Sequence, residues 1–308
     1  MKTQEDWKKL IGKPSNENFD KSIEFIEKYE CDFFDCEVYI QANGKRANGE
    51  TTYQRVMKVL PKNCNKKMPA VVVPFYFPEA GMGFDPKTKT ILPKFAENPT
   101  ILDIVKRGYI VISADAYHLT YVDEELNRFE VASTAWTWKN AAELLNKEHP
   151  DWCGTGKLIS DTILLVDALL MDERVDTDRI GIYGHSLGGK MAFYAGCFDD
   201  RIKVIVASDF GLGWDQTNWN SPWYWGDKLE IIKQEGFNNT DLLALCAPKP
   251  FCLIAGEADN EDSNKMLQAV PGYDDCPEKI FFVNHKSGHR PPKYAAAAGY
   301  GFLDHYLK

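Results

Sequence analysis

Short runs of β-branched and aromatic residues, recurring between helical stretches, constrain the fold of this chain more than any other feature. "PAVVVPFYF", "GYIVISAD", "RIGIYG", "IKVIVASD", "PFCLIAG" and "KIFFVN" each have the form of a strand buried on both faces of a parallel sheet. Between and after them lie "TILDIVKRG", "ASTAWTWKNAAELLNKE", "GKLISDTILLVDALLMDE", "LGGKMAFYAGCFD" and "PKYAAAAGYGFLDHYLK", whose apolar residues recur at helical spacing. Strand alternating with helix predicts an α/β fold: a mostly parallel central sheet with helices on both faces. Ahead of this region, "FDCEVYIQA" and "TTYQRVMKVLP" read as an N-terminal antiparallel hairpin, and "KSIEFIEKYE" carries Ile23, Phe25, Ile26 and Tyr29 at helical spacing. Residues 1–308 are read as a single domain, with 1–60 as an N-terminal helix and hairpin and 211–240 as an aromatic cap or pocket insertion. No repeat of 20–50 residues suggests a solenoid or propeller.

Ligands of such sheets sit beyond the carboxyl ends of the strands, so polar residues that directly follow the apolar runs are the candidates for chemistry. "GIYGHSLGGKMAFY" is the most informative of these places. From Gly184 to Lys190 it has the spacing of a phosphate-binding loop. That loop needs a Ser or Thr after the Lys to hold magnesium, and Met191 stands there instead. The same residues spell G-x-S-x-G around Ser186, on a strand, sharp turn and helix, with Gly184 and Gly188 where close packing leaves no room for a Cβ. Such a turn lifts Oγ clear of the sheet and aims the first N–H groups of the next helix, Leu187 foremost, at a developing oxyanion.

A serine hydroxyl is a weak nucleophile unless a base reaches it and a carboxylate orients that base. In chain order Ser, acid, His, the candidates are Asp259 in "GEADN" and His289 in "SGHRPP". Asp209, after "IKVIVAS", is the alternative acid, and Glu257 and His285 are nearby rivals. His185 is read as packing beside the nucleophile. The second oxyanion donor is expected from the loop after the first parallel strand, as the backbone N–H of Phe77 or Tyr76.

From about Val71 onward the chain resembles an α/β-hydrolase, and within that superfamily the dienelactone-hydrolase-related and carbohydrate esterases. "VDTDRIGIYGHSLGGKMAFYAG", "GEAD" and the late "GH" carry the resemblance. Ser186, Gly189 and Lys190 also match the G-x-S-x-x-G-K elbow of glucuronoyl esterases. "FDDRIKVIVASD" is similar to that family's segment leading to an acidic residue, Asp209 here. Those esterases carry an Arg directly after the serine, where this chain has Leu187, and the difference shifts weight toward simpler esters, acetyl above all.

Substrate hints come from "GLGWDQTNWNSPWYWGDKLE", which gathers Trp214, Trp219, Trp223, Tyr224 and Trp225 between two core strands. Aromatic faces stack on sugar rings, so these residues, with Lys190, Asn218 and Asn220, are read as substrate-binding; a closed hydrophobic cluster is the competing reading. Trp136, Trp138 and Trp152 are assigned to the core. A net charge of -9 excludes a partner that needs a basic face, such as nucleic acid or an anionic membrane. The N-terminus lacks a signal-peptide apolar run, so a cytoplasmic protein is expected. The 8 cysteines, Cys64 among them, show no metal-site spacing and are expected to be free and mostly buried.

Together these features predict a serine carboxylester hydrolase needing no metal or organic cofactor. It would take acetyl groups from a carbohydrate or related small ester. The alternatives are a glucuronoyl methyl-esterase-like hydrolase, a prolyl-oligopeptidase-type peptidase, and a binding module on an inactive hydrolase fold.

Overall fold

The computed structural model describes residues 2–12, 20–62, 66–121 and 134–308. Cys64 and the start of "ASTAWTW" lie outside these residues. The strands are β1 (Ile23–Glu30), β2 (Phe34–Lys45), β3 (Thr51–Pro61), β4 (Met68–Val72), β5 (Phe84–Asp85), β6 (Thr90–Ile91), β7 (Ile110–Ala114), β8 (Val175–His185), β9 (Ile202–Ser208), β10 (Phe251–Ala255) and β11 (Ile280–Asn284). The α-helices, in chain order, are α1 (Gln4–Ile11), α2 (Pro78–Met82), α3 (Thr100–Lys106), α4 (Ala135–Glu148), α5 (Gly154–Leu170), α6 (Leu187–Phe198), α7 (Lys228–Gln234), α8 (Asn239–Cys246), α9 (Glu261–Gln268) and α10 (Lys293–Leu307).

One 9-stranded sheet runs in the order β1-β2-β3-β7-β4-β8-β9-β10-β11. From β7 to β11 every pairing is parallel, while β1, β2 and β3 join antiparallel at one edge. Because side chains alternate along a strand, each parallel run feeds two cores. Val72, Ile112, Ile182, Ile205 and Leu253 face α5 and α6, while Val71, Val111, Tyr183, Val206 and Ile254 face α3 and α10.

The segment expected to form the N-terminal helix does not do so. "KSIEFIEKYE" forms the edge strand β1, and the N-terminal helix is α1 instead. β1 carries a register shift between Phe25 and Glu27. An extra residue in a strand breaks the alternation of apolar positions and produces helix-like spacing. Helix α1 is short and has a capping box at Thr3 and Asp6. It buries Trp7, which is 0% exposed, and Trp7 has Tyr194 and Trp225 as ring neighbours at 6.3 and 6.4 Å. Trp138 and Trp152 are buried, whereas Trp136 is exposed. The described cysteines carry free thiols, and Cys36, Cys153, Cys197 and Cys252 are buried. Among the described residues, no helix is long and apolar enough to cross a membrane.

Candidate active site

Ser186 follows β8 and is the N-cap of α6, with φ 56 and ψ -115, a conformation that costs a non-glycine residue about 1–3 kcal/mol. The surroundings hold it there. Its N–H donates to Ser208 O at 2.8 Å, and its carbonyl accepts the Lys190 N–H at 3.0 Å. The flanking glycines are required by packing. A Cβ on Gly184 would lie 1.9 Å from Gly188 O, and one on Gly188 would lie 2.1 Å from Pro74 O.

His289 reaches Ser186 from the loop between β11 and α10. Its Nε2 lies 2.8 Å from Ser186 Oγ, and its Nδ1 lies 2.6 Å from Asp209 Oδ2. With Asp209 ionised, Nδ1 carries the proton and donates it to the carboxylate, which leaves Nε2 to accept the Ser186 hydroxyl. Asp209 is fully buried, and burial alone raises a carboxyl pKa. The His289 hydrogen bond and the backbone N–H groups of the 256–259 loop outweigh that cost and hold it below the usual carboxylate range. Oδ1 accepts from Gly256, Ala258 and Asp259, each at 2.9 Å, and Oδ2 accepts from Glu257 at 3.1 Å.

The carboxylate beside His289 is therefore Asp209, and Asp259 is turned elsewhere. Asp259 accepts the Gly211 and Leu212 N–H groups at 2.9 and 2.7 Å and the Ser263 hydroxyl at 3.0 Å. Burial raises its pKa. The physical reason lies in strand order: Asp209 follows β9, next to β8, which leads into Ser186, whereas Asp259 follows β10, one strand farther out. The exposed Glu257 contributes its backbone N–H to Asp209. His285 is not in the relay; it packs on Gly256, where a Cβ would meet its ring at 2.7 Å, and its Nδ1 accepts the Ser287 N–H at 3.2 Å. His185 packs 4.7 Å from the His289 ring, bonded through Nδ1 to Ser208 Oγ at 3.1 Å. Burial, with the neighbouring His289, depresses its pKa to about 3, so it stays neutral and does not compete for the proton.

Leu187 is buried at the first position of α6, and Phe77 is buried at the N-cap of α2, on the loop that follows β4. Tyr76 in the same loop is half-buried, and its carbonyl accepts the Ala116 N–H at 3.0 Å.

The aromatic insertion packs largely on itself. Trp219, Tyr224 and Trp225 are buried; Trp219 and Trp225 pack on Tyr194 and Trp219 also on Tyr224, while Trp214 and Trp223 are half-buried. The indole N–H groups of Trp214 and Trp219 donate to Phe237 O and Gly211 O at 2.7 and 2.8 Å. These rings form a wall rather than an open stacking platform. Lys190 is buried against that wall. Its Nζ donates to Asn218 Oδ1 at 3.2 Å and lies 4.6 Å from the Trp219 ring centroid and 5.0 Å from that of Tyr224. Burial lowers its pKa to about 7, against the opposing pull of Asp259 and Asp209. Asn220 is exposed.

A cavity of about 60 Å³ opens beside the elbow, lined by Val73, Phe75, Ala80, Phe95, His185 and Arg290 among others. Sequence reasoning missed it, because Phe95 and Arg290 come from loops that carry no periodic signal. Among the described residues, no group of three or more His, Cys, Asp or Glu is placed to hold a metal ion.

A mostly parallel sheet with an N-terminal antiparallel edge, a strained serine between strand and helix, and Asp and His on later strand ends define the α/β-hydrolase fold. Comparison with known proteins agrees. Residues 161–223, which hold the elbow and Asp209, match the family model described as "Glucuronyl esterase, fungi". The chain is 28% identical over 145 residues to "Putative hydrolase YtaP" of Bacillus subtilis (strain 168), a match covering 44% of this chain and 48% of that protein. The chain thus spans about half the length of the curated relative it matches. Among solved structures, a glucuronoyl esterase from Solibacter usitatus has a TM-score of 0.67 at 14% identity, covering 97% of this chain and 89% of that one. An acetyl xylan esterase from Paenibacillus sp. R4 has a TM-score of 0.58 at 16% identity, covering 92% and 88%. At these identities the structural likeness establishes the fold.

Proposed function

We propose that this protein is a serine carboxylester hydrolase that acts on a carbohydrate or related small ester, and that its residues work as one domain. The observation that carries the reading is the relay from Asp209 through His289 to Ser186, at 2.6 and 2.8 Å. Asp209 fixes the imidazole tautomer and balances the imidazolium that forms when Nε2 takes the Ser186 proton. Oγ attacks the ester carbonyl, and the oxyanion turns toward the N–H groups of Leu187 and the loop after β4. Collapse expels the alcohol, which takes the proton from His289. Water then attacks the acyl-enzyme with His289 again as base, and the acid leaves.

The carbohydrate part of the reading is supported by the names of the similar proteins, glucuronoyl and acetyl xylan esterases. The match of residues 161–223 to the glucuronyl esterase model favours a second reading, a glucuronoyl methyl-esterase.

Proton NMR of the protein with acetylated xylo-oligosaccharides and, separately, methyl glucuronate tests both. Acetate release that Ser186→Ala abolishes would support the acetylesterase, and methanol release the second reading. Asp209→Asn is expected to lower kcat by about 10⁴-fold, as a lost orienting carboxylate does in serine hydrolases. Asp259→Asn is expected to cost far less. The reverse ranking would give the acid role to Asp259, and full turnover by Ser186→Ala would reject the mechanism.

A further inference from the structure

Arg55 lies in β3, away from the relay, yet its guanidinium forks onto two carboxylates at once. Nη1 and Nη2 donate to Glu79 Oε1 and Oε2 at 2.8 and 2.7 Å; Nε and Nη2 donate to Asp115 Oδ2 and Oδ1 at 3.2 and 2.9 Å. Both carboxylates are buried. Such planar, charge-assisted pairs fix direction as well as distance. Glu79 lies in α2, two residues beyond Phe77, and Asp115 directly precedes Ala116, whose N–H holds the Tyr76 carbonyl at 3.0 Å. The Asp115 N–H in turn donates to Arg55 O at 3.0 Å. The loop after β4 is therefore tied at two points: Glu79 to Arg55 itself, and Tyr76 O to the N–H of Ala116, the residue after the Asp115 that Arg55 also holds.

The tie also sets a direction. In a trans peptide the carbonyl and the N–H point opposite ways, so when Tyr76 O faces Ala116, the Phe77 N–H faces away from it. Ala116 extends from β7 and Ser186 from β8, and β4 lies between those two strands. Away from Ala116 is therefore toward the elbow. The loop also abuts the start of α6, since a Cβ on Gly188 would lie 2.1 Å from Pro74 O.

We infer that Arg55 is a positioning residue: through Glu79 and Asp115 it orients the Tyr76–Phe77 peptide, whose N–H the proposed mechanism takes as an oxyanion donor. The inference rests on the proposed hydrolase mechanism. It gives the N-terminal antiparallel strands a role in the reaction besides extending the sheet.

The test compares full-length wild type with Arg55→Met, Arg55→Lys and Glu79→Gln on 4-nitrophenyl acetate and its thionoester analogue. Sulfur is a weak hydrogen-bond acceptor, so an oxyanion hole favours the oxygen ester. Arg55→Met is expected to lower kcat on the oxygen ester by about 10²-fold at little-changed KM. The preference for the oxygen ester over the thionoester should fall with it. Arg55→Lys, which keeps the charge but loses the fork, and Glu79→Gln should fall between, and they carry the test if Arg55→Met does not fold. A folded variant with reduced kcat but an unchanged preference would overturn the inference while leaving the esterase reading intact. Failure of wild type to hydrolyse either ester, with Ser186 unreactive to a fluorophosphonate, would overturn both.

Discussion

Lys190 sits one helical turn after Ser186, buried between Trp219 and Tyr224, with a pKa of about 7. An exposed lysine titrates near 10.4. Between those values the unfolded chain binds more protons than the folded one, so this group's contribution to stability rises with pH; below 7 the full burial penalty applies. Lys190→Met should therefore raise Tm more at pH 6 than at pH 9, and thermal melts at the two pH values check it. An equal gain at both would mean that the folded protein does not depress this lysine. Ser186, His289 and Lys190 were legible in the sequence because local patterns mark them. The choice of acid was not, because Asp209 and Asp259 both follow apolar runs and both precede His289. What separates them is strand order and the direction of backbone N–H groups, which put the 256–259 loop around Asp209 and turn Asp259 to Gly211 and Leu212.

The elbow works as an element because β8, α6 and the loop after β4 meet with no space for a side-chain atom. Gly188→Ala would force a Cβ against Pro74 O and push that loop away from Ser186. The expected result is a loss in kcat of about 10²-fold or more in a protein that still folds. Circular dichroism and steady-state kinetics together check it, and an alanine variant of normal kcat would show that the loop need not lie so close. The glycines are legible from G-x-S-x-G, whereas β1 has helix-like spacing because its register shift disguises the strand period. The aromatic insertion was legible as an element, but its role was not. Composition shows that the rings are there, and only packing shows that Trp219 and Trp225 fill the space around Tyr194 and Trp7.

At the scale of the molecule, the antiparallel edge and the parallel sheet are joined by polar ties as well as by strand pairing. Gln41 donates to Leu164 O at 2.9 Å, Lys58 pairs with Asp172 at 2.8 Å, and Arg55 clasps Glu79 and Asp115. Deleting residues 1–60 would strip β7 of its partner β3 and leave those carboxylates buried without their cations. The truncated chain is expected in the insoluble fraction on expression; a soluble, monomeric and active fragment would show the edge to be dispensable. By itself the sequence determined the parallel strands from β4 onward, the strained turn at Ser186 and the histidine that follows the last strand. These are set by periodicity and by glycine, which act over a few residues. Only the tertiary structure decided which carboxylate meets His289, that the aromatic loop packs as a wall, and that Arg55 holds the loop after β4. Each of these depends on which strands lie side by side, and residues far apart in the chain report nothing of one another until the sheet has assembled.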